Sequence, residues 1–235
     1  MKKILLLAAI LFSIGCGRKC KVEPVEAPKT ELIIVNESNS AIVVWVTLGA
    51  TEGCLQNVSE IPYITDTLNS SVGSFVLEAG DSTIAYAPKG LGFNANLSFN
   101  TQPLNCPDST NPNGVNLFEF VINNYFQARI PQETIDISCV SGVNSAIKVF
   151  LSGGDNWNAG GSYPDVDSIY NVGLIGNSGL VGVYPYGCDT CTGAKSPPSC
   201  VTGSSDKQTK SICNVQRDAK KSNNGLIRVV YLGGL

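Results

Sequence analysis

The chain contains no histidine. That removes the side chain that ordinarily titrates near neutral pH, the Ser-His and Cys-His nucleophile pairs, and the commonest metal ligand. Any acid–base chemistry must therefore rest on carboxylates. Charge is sparse as well, at 15% of residues, and the four arginines, Arg18, Arg129, Arg217 and Arg228, are scattered. With a net charge of −3 there is no basic footprint for a phosphate backbone, so no nucleic-acid partner is expected. The Gly-rich passage from Gly153 to Tyr163 lacks the lysine and spacing of a phosphate loop and reads as a turn-rich connection. No repeat of solenoid period is visible. Neither a cofactor nor a metal is expected.

What is present is apolar: 43% of 235 residues are hydrophobic, enough for one main globular domain and too many for a disordered chain. Met1-Lys2-Lys3 followed by the apolar run Ile4 to Ile14 has the form of a secretory signal and is too short to span a bilayer. It ends at Ser13-Ile14-Gly15-Cys16, which resembles a bacterial lipobox, with Cys16 as the lipidated first residue. Ser13 stands where leucine is usual, which leaves plain signal-peptidase cleavage as the alternative. The chain thus divides into a signal peptide at 1–15, a lipidated tether at 16–30 rich in Lys, Pro and Glu, and a domain at 31–235. Localisation follows as a cell-envelope protein, lipid-anchored and facing the periplasm or the exterior, or else simply secreted.

Nine cysteines in an exported chain leave one over. Assigning Cys16 to lipid leaves eight, namely Cys20, Cys54, Cys106, Cys139, Cys188, Cys191, Cys200 and Cys213. The last seven are the disulfide candidates. Cys188-Asp189-Thr190-Cys191 with Cys200 and Cys213 lacks the second close pair of a zinc site, and disulfides are the expected use in an exported protein.

From Glu31 the pattern turns to strands. Leu32 to Val35 and Ala41 to Thr47 are β-branched runs around a polar turn and read as an opening β-hairpin; Phe93 to Phe99 alternates apolar and polar residues as a half-buried strand does. Residues 49–73 read as a lengthened loop carrying Cys54. Within Leu117 to Asn144, alternation puts Glu119, Val121 and Asn123 on one face of a strand and Phe118, Phe120 and Ile122 on the other. On the next strand Thr134, Asp136 and Ser138 share a face, and Glu133 joins them only if it comes from the strand entry. Carboxylates brought together this way raise one another's pKa and offer acceptors for sugar hydroxyls or an acid–base pair. The competing structural reading is that Asp136, Asn123 and Asn144 anchor turns. Tyr125, Phe126, Trp157 and Tyr163 lie nearby in sequence as rings that stack on sugars or pack in the core.

Glu119-Phe120, Asn123, Asp136-Ile137-Ser138, Gly142 and Asn144 resemble the acidic-cleft signature of the thaumatin-like family. The resemblance extends to Val76 to Ser82 and to both terminal strands, where the family's paired first and last cysteines are replaced together by Ser38 and Leu232. It implies an all-β, thaumatin-like sandwich with a reduced disulfide-bearing lobe. It also implies a ligand-binding set of Glu119, Asn123, Glu133 and Asp136, and carbohydrate, of β-glucan type, as ligand. The family's cleft arginine has no counterpart between Arg18 and Arg129, and Asp218 is only a distant match for its last Asp. A binding module is therefore expected rather than an enzyme. The alternatives are a weak endo-β-glucanase using Glu119 with Glu133 or Asp136, and a structural surface lipoprotein. The expected partners are a membrane, through the lipid, and carbohydrate; a monomer is expected. Mass spectrometry of the exported protein should find an N-terminal peptide beginning at lipidated Cys16. An unmodified N-terminus would remove the anchor.

Overall fold

The computed structural model describes residues 30–49, 55–87, 91–103, 108–124, 132–159, 163–173, 180–186, 212–218 and 224–235. Its strands are β1 (Glu31–Asn36), β2 (Ile42–Leu48), β3 (Asp66–Thr67), β4 (Val72–Leu77), β5 (Ser82–Ala85), β6 (Phe93–Phe99), β7 (Leu117–Ile122), β8 (Gln132–Ser138), β9 (Ser145–Ser152), β10 (Ser168–Tyr170), β11 (Val183–Tyr184), β12 (Val215–Asp218) and β13 (Leu226–Gly234). They form an all-β sandwich. One sheet has the order β10-β9-β13-β1-β5; the other runs β11-β8-β7-β6-β2-β4-β3, with β12 also paired to β8.

The two-residue side-chain period of a strand generates the core directly. Ile42, Val44, Val46 and Leu48 of β2, the odd-numbered residues of β6, and Phe118, Phe120 and Ile122 of β7 all turn inward. They meet Leu32, Ile34, Ile147, Val149, Ile227 and Val229 of the other sheet in one hydrophobic cluster. Phe93 and Phe120 make an edge-on ring contact at 4.9 Å. The lengthened loop contributes as well: Leu55, Val58 and Ile61 are buried in the same cluster.

The opening hairpin expected from the sequence does not form. β1 pairs with β13 and β5, whereas β2 pairs with β4 and β6, so the turn between them crosses from one sheet to the other. The buried Asn36 side chain makes that crossing: its Nδ2 donates to the carbonyls of Ser40, Leu77 and Glu78, and its Oδ1 accepts from the Ser38 N–H and hydroxyl. Two apolar runs and a turn are as compatible with a sheet-to-sheet corner as with a hairpin, and tertiary pairing decides. The first and last described strands pair in parallel, β1 with β13, with Ser38 bonded within its own turn and Leu232 46% exposed.

A buried polar knot ties the start of the domain to the second sheet. Glu133 and Arg217 form an ion pair at 2.8 Å with both side chains fully buried. The Thr30 hydroxyl donates to Glu133 at 2.6 Å and accepts from Arg217 Nη2 at 2.7 Å. Asn123, at φ 53°, donates its N–H to Glu133 at 2.9 Å and its Nδ2 to the Thr30 carbonyl at 2.8 Å; its Oδ1 accepts from the Thr30 N–H at 2.9 Å. The guanidinium also lies 4.4 Å over the buried ring of Trp157. It leaves no room for a side chain at Gly225, whose added Cβ would stand 1.9 Å from Arg217 Nη2. Removing one member strands the other as a buried charge. Glu133→Ala should therefore cost on the order of 3–5 kcal/mol in urea unfolding, with Glu133→Leu/Arg217→Met recovering much of it. A loss below about 1 kcal/mol for Glu133→Ala would show the pair to be a bystander.

Candidate functional site

The outer face of the larger sheet carries the polar residues that alternation excludes from the core. The registers set Thr47 opposite Asn96, Asn96 opposite Glu119, and Glu119 opposite Asp136, a continuous row across β2, β6, β7 and β8. Asn96, Glu119 and Asp136 line a cleft of about 310 Å³, with Asn94, Val121 and Thr134 beside them. Its floor is sheet, so the side chains stand on rigid backbone.

Glu119 stands opposite Asp136 in the β7–β8 register, with Ser138 two residues further along the same face, and both side chains act on its carboxyl. Asp136 is the deeper of the pair, 6% exposed, and its Oδ1 has no hydrogen-bond partner among the described residues. The same holds for Asn96 Oδ1 and Thr47 Oγ1. Burial holds the Glu119 carboxyl above its usual range. Burial, then the neighbouring Glu119 charge, drives Asp136 further up. No cation offsets this among the described residues: Lys148 and Arg228 sit on the other sheet beside Phe150, and Arg217 turns inward to Glu133. Two carboxyls in contact without a counter-cation share a proton, and the shared proton bonds them to each other.

The expected binding set is therefore split. Glu119 and Asp136 come together on the cleft face. Glu133 belongs elsewhere: its odd spacing puts it on the core side of β8, fully buried against Arg217, so it is withdrawn from the cleft set. Asn123 is likewise engaged with Thr30 and Glu133 at the end of β7, as the turn-anchor reading expects. Asn144 anchors a turn as well, donating Nδ2 to the Phe99 carbonyl beside the closely packed Gly142 and Gly114. Asp218 shares the outer face of β12 but pairs opposite Gln132, four residues along the strand direction from the Asp136 level, roughly 13 Å away. Trp157 is buried and Tyr163 45% exposed; Tyr125 and Phe126 lie outside the described residues.

The structure also departs from the disulfide expectation. The two candidates it describes, Cys139 and Cys213, are free buried thiols, each pushed up to about 12 by burial and by the Asp136 charge. Continuing the β8–β12 register sets Cys213 opposite Ile137 and not opposite Cys139. Cys16, Cys20, Cys54, Cys106, Cys188, Cys191 and Cys200 lie outside the described residues. Sequence reasoning missed Asn96, Thr47 and Arg217. The alternation in Phe93 to Phe99 was the available signal for Asn96, since it places Asn94 and Asn96 together on a polar face.

No protein-family model matches the chain, and no curated protein matches it. Among solved structures, a thaumatin-like xylanase inhibitor aligns at 12% identity over 88% of this chain and 100% of its own, with a TM-score of 0.40. A protein elicitor from Magnaporthe oryzae aligns at 8% identity over 87% of this chain and 99% of its own, with a TM-score of 0.39. One neighbour is thaumatin-like. At these scores the two sheets of the protein itself define its fold, and function has to be argued from the cleft.

The raised carboxyls give a signed pH dependence. Between the ordinary values of 3.8 and 4.5 and the raised folded values, the folded pair keeps a proton that the unfolded chain has released. Its contribution to stability is therefore complete below the ordinary range and is lost as pH rises through the folded values. Asp136→Asn should flatten this decline above the ordinary carboxylate range in thermal unfolding scans, and above the raised folded values should equal or exceed the parent in Tm. A variant that declines as steeply as the parent would show that the pair does not hold the proton.

Proposed function

We propose that this chain is a lipid-anchored binding domain of the cell envelope, of thaumatin-like fold, whose acidic cleft takes a carbohydrate. The observation that carries the reading is the Glu119–Asp136 pair on the cleft floor, in mutual contact and with Asp136 Oδ1 unpartnered among the described residues. A proton-sharing carboxyl pair presents a donor and acceptors side by side. Asn96 adds a carboxamide and Thr134 a hydroxyl. A hydroxyl-rich ligand satisfies such a set, and a cleft of about 310 Å³ falls at the small end of ligand sites, room for part of a glycan chain. The resemblance of the acidic-cleft residues to the thaumatin-like pattern points to β-glucan as the first glycan to try.

The same geometry speaks against hydrolysis. Glycosidase carboxyls stand about 5–5.5 Å apart when retaining and about 6.5–9.5 Å apart when inverting, to admit the sugar carbon or a water. Glu119 and Asp136 face each other in direct register on adjacent strands and interact side chain to side chain, which leaves little room for a sugar carbon or a water between them. Glu133 cannot replace either, since it faces the opposite side of the sheet in an ion pair. In the 49–73 loop Leu55, Val58 and Ile61 pack into the core, while Gly49 borders the cleft.

A glycan array followed by calorimetric titration of β-glucan oligosaccharides tests the reading. Binding weakened at least about tenfold, roughly 1.4 kcal/mol, by Glu119→Gln and by Asp136→Asn is expected, with no release of reducing ends by the parent protein. Absence of glycan binding, or binding indifferent to both substitutions, would sink it.

A further inference from the structure

We propose that the cleft row binds a hard divalent cation of the calcium class, held by Glu119, Asp136 and Asn96. The three side chains come from neighbouring strands in direct register, Asn96 opposite Glu119 and Glu119 opposite Asp136. Asp136 is more than nine-tenths buried and lines the cleft with an oxygen that has no partner among the described residues. Asn96 supplies a second such oxygen from a neutral side chain, and Thr47 a third one strand further on.

Every unpartnered atom in this row is an oxygen. An all-oxygen set of two carboxylates and a carboxamide suits a hard cation and not a soft one. Asn96, Glu119 and Asp136 stand on three adjacent strands about 4.8 Å apart, so the outer two side chains must lean toward Glu119 to share one ion, and the calcium range of about 2.3–2.6 Å with its irregular geometry asks less of them than the octahedral about 2.0–2.1 Å that magnesium demands. The cleft is open to water, which completes the six to eight ligands that calcium accepts in irregular geometry. Charge points the same way. The described lysine and arginines are all committed elsewhere, at Phe150 and at Glu133, so nothing described neutralises the pair from the protein side. The ion would replace the shared proton and leave coordination positions at which a sugar hydroxyl can bind. The site itself does not rest on the carbohydrate reading.

The test is calorimetric titration of the full mature chain with calcium chloride alone, without sugar, in potassium chloride of matched ionic strength, together with thermal unfolding. With two carboxylates the expected Kd is about 10⁻⁴–10⁻³ M, with a rise in Tm of roughly 5 °C at saturating calcium. Asp136→Asn should abolish the response. Asn96→Asp adds a third carboxylate; it should lower the Tm of the calcium-free protein and tighten calcium at least tenfold, an effect no purely structural role of Asn96 produces. No heat and no Tm shift in the parent, an undiminished response in Asp136→Asn, or an equal response to magnesium would overturn the proposal. Glycan binding without calcium would leave the carbohydrate reading standing alone, and a calcium response without glycan binding would leave the cation site standing alone.

Discussion

The larger sheet is organised by one constraint: β8 places Glu133 and Asp136 on opposite faces, and among the described residues only the inner face has a cation. On the inner face Glu133 meets Arg217 and Thr30, with Asn123 closing the same buried charge pair. On the outer face Asp136 meets Glu119 and no counter-charge among the described residues. The first arrangement is costly to break, because desolvated partners left alone cannot recover their solvation. The second is costly to ionise, because like charges in a partly buried site repel. A buried ion pair and an uncompensated acidic pair are therefore carried by residues three positions apart on one strand.

The inner knot also bears on the outer site. Asn123 ends β7 and Glu133 lies near the start of β8, and the bond between them fixes the register that sets Glu119 opposite Asp136. A one-residue slip of either strand would turn the acids into the core and the phenylalanines into the cleft. Thr30 closes the same knot immediately before β1, so the first strand and the cleft strands are tied together.

Much of the fold is legible in the sequence. Alternation in Phe93 to Phe99 and in Leu117 to Ile122 assigned the two faces of β6 and β7 correctly, because a strand buried on one side has a period of two. The odd spacing of Glu133 already raised the question of its face, and the answer required knowing that an arginine more than eighty residues away would be waiting inside. The opening corner was misread as a hairpin because local pattern does not say which strand pairs with which. Asn96 and Thr47 went unnoticed for a related reason: each is an ordinary polar residue in its own strand, and becomes part of a site only when the registers stack them.

By itself the sequence determined an all-β chain, the absence of imidazole chemistry, and which side of each strand meets the core, since composition and side-chain period are local properties. Tertiary structure alone decided that Glu133 is a buried ion-pair partner, that Cys139 and Cys213 are free thiols, and that Thr47, Asn96, Glu119 and Asp136 form one row. Those outcomes depend on long-range strand pairing, and pairing is fixed by the packing of the whole core and not by any segment within it.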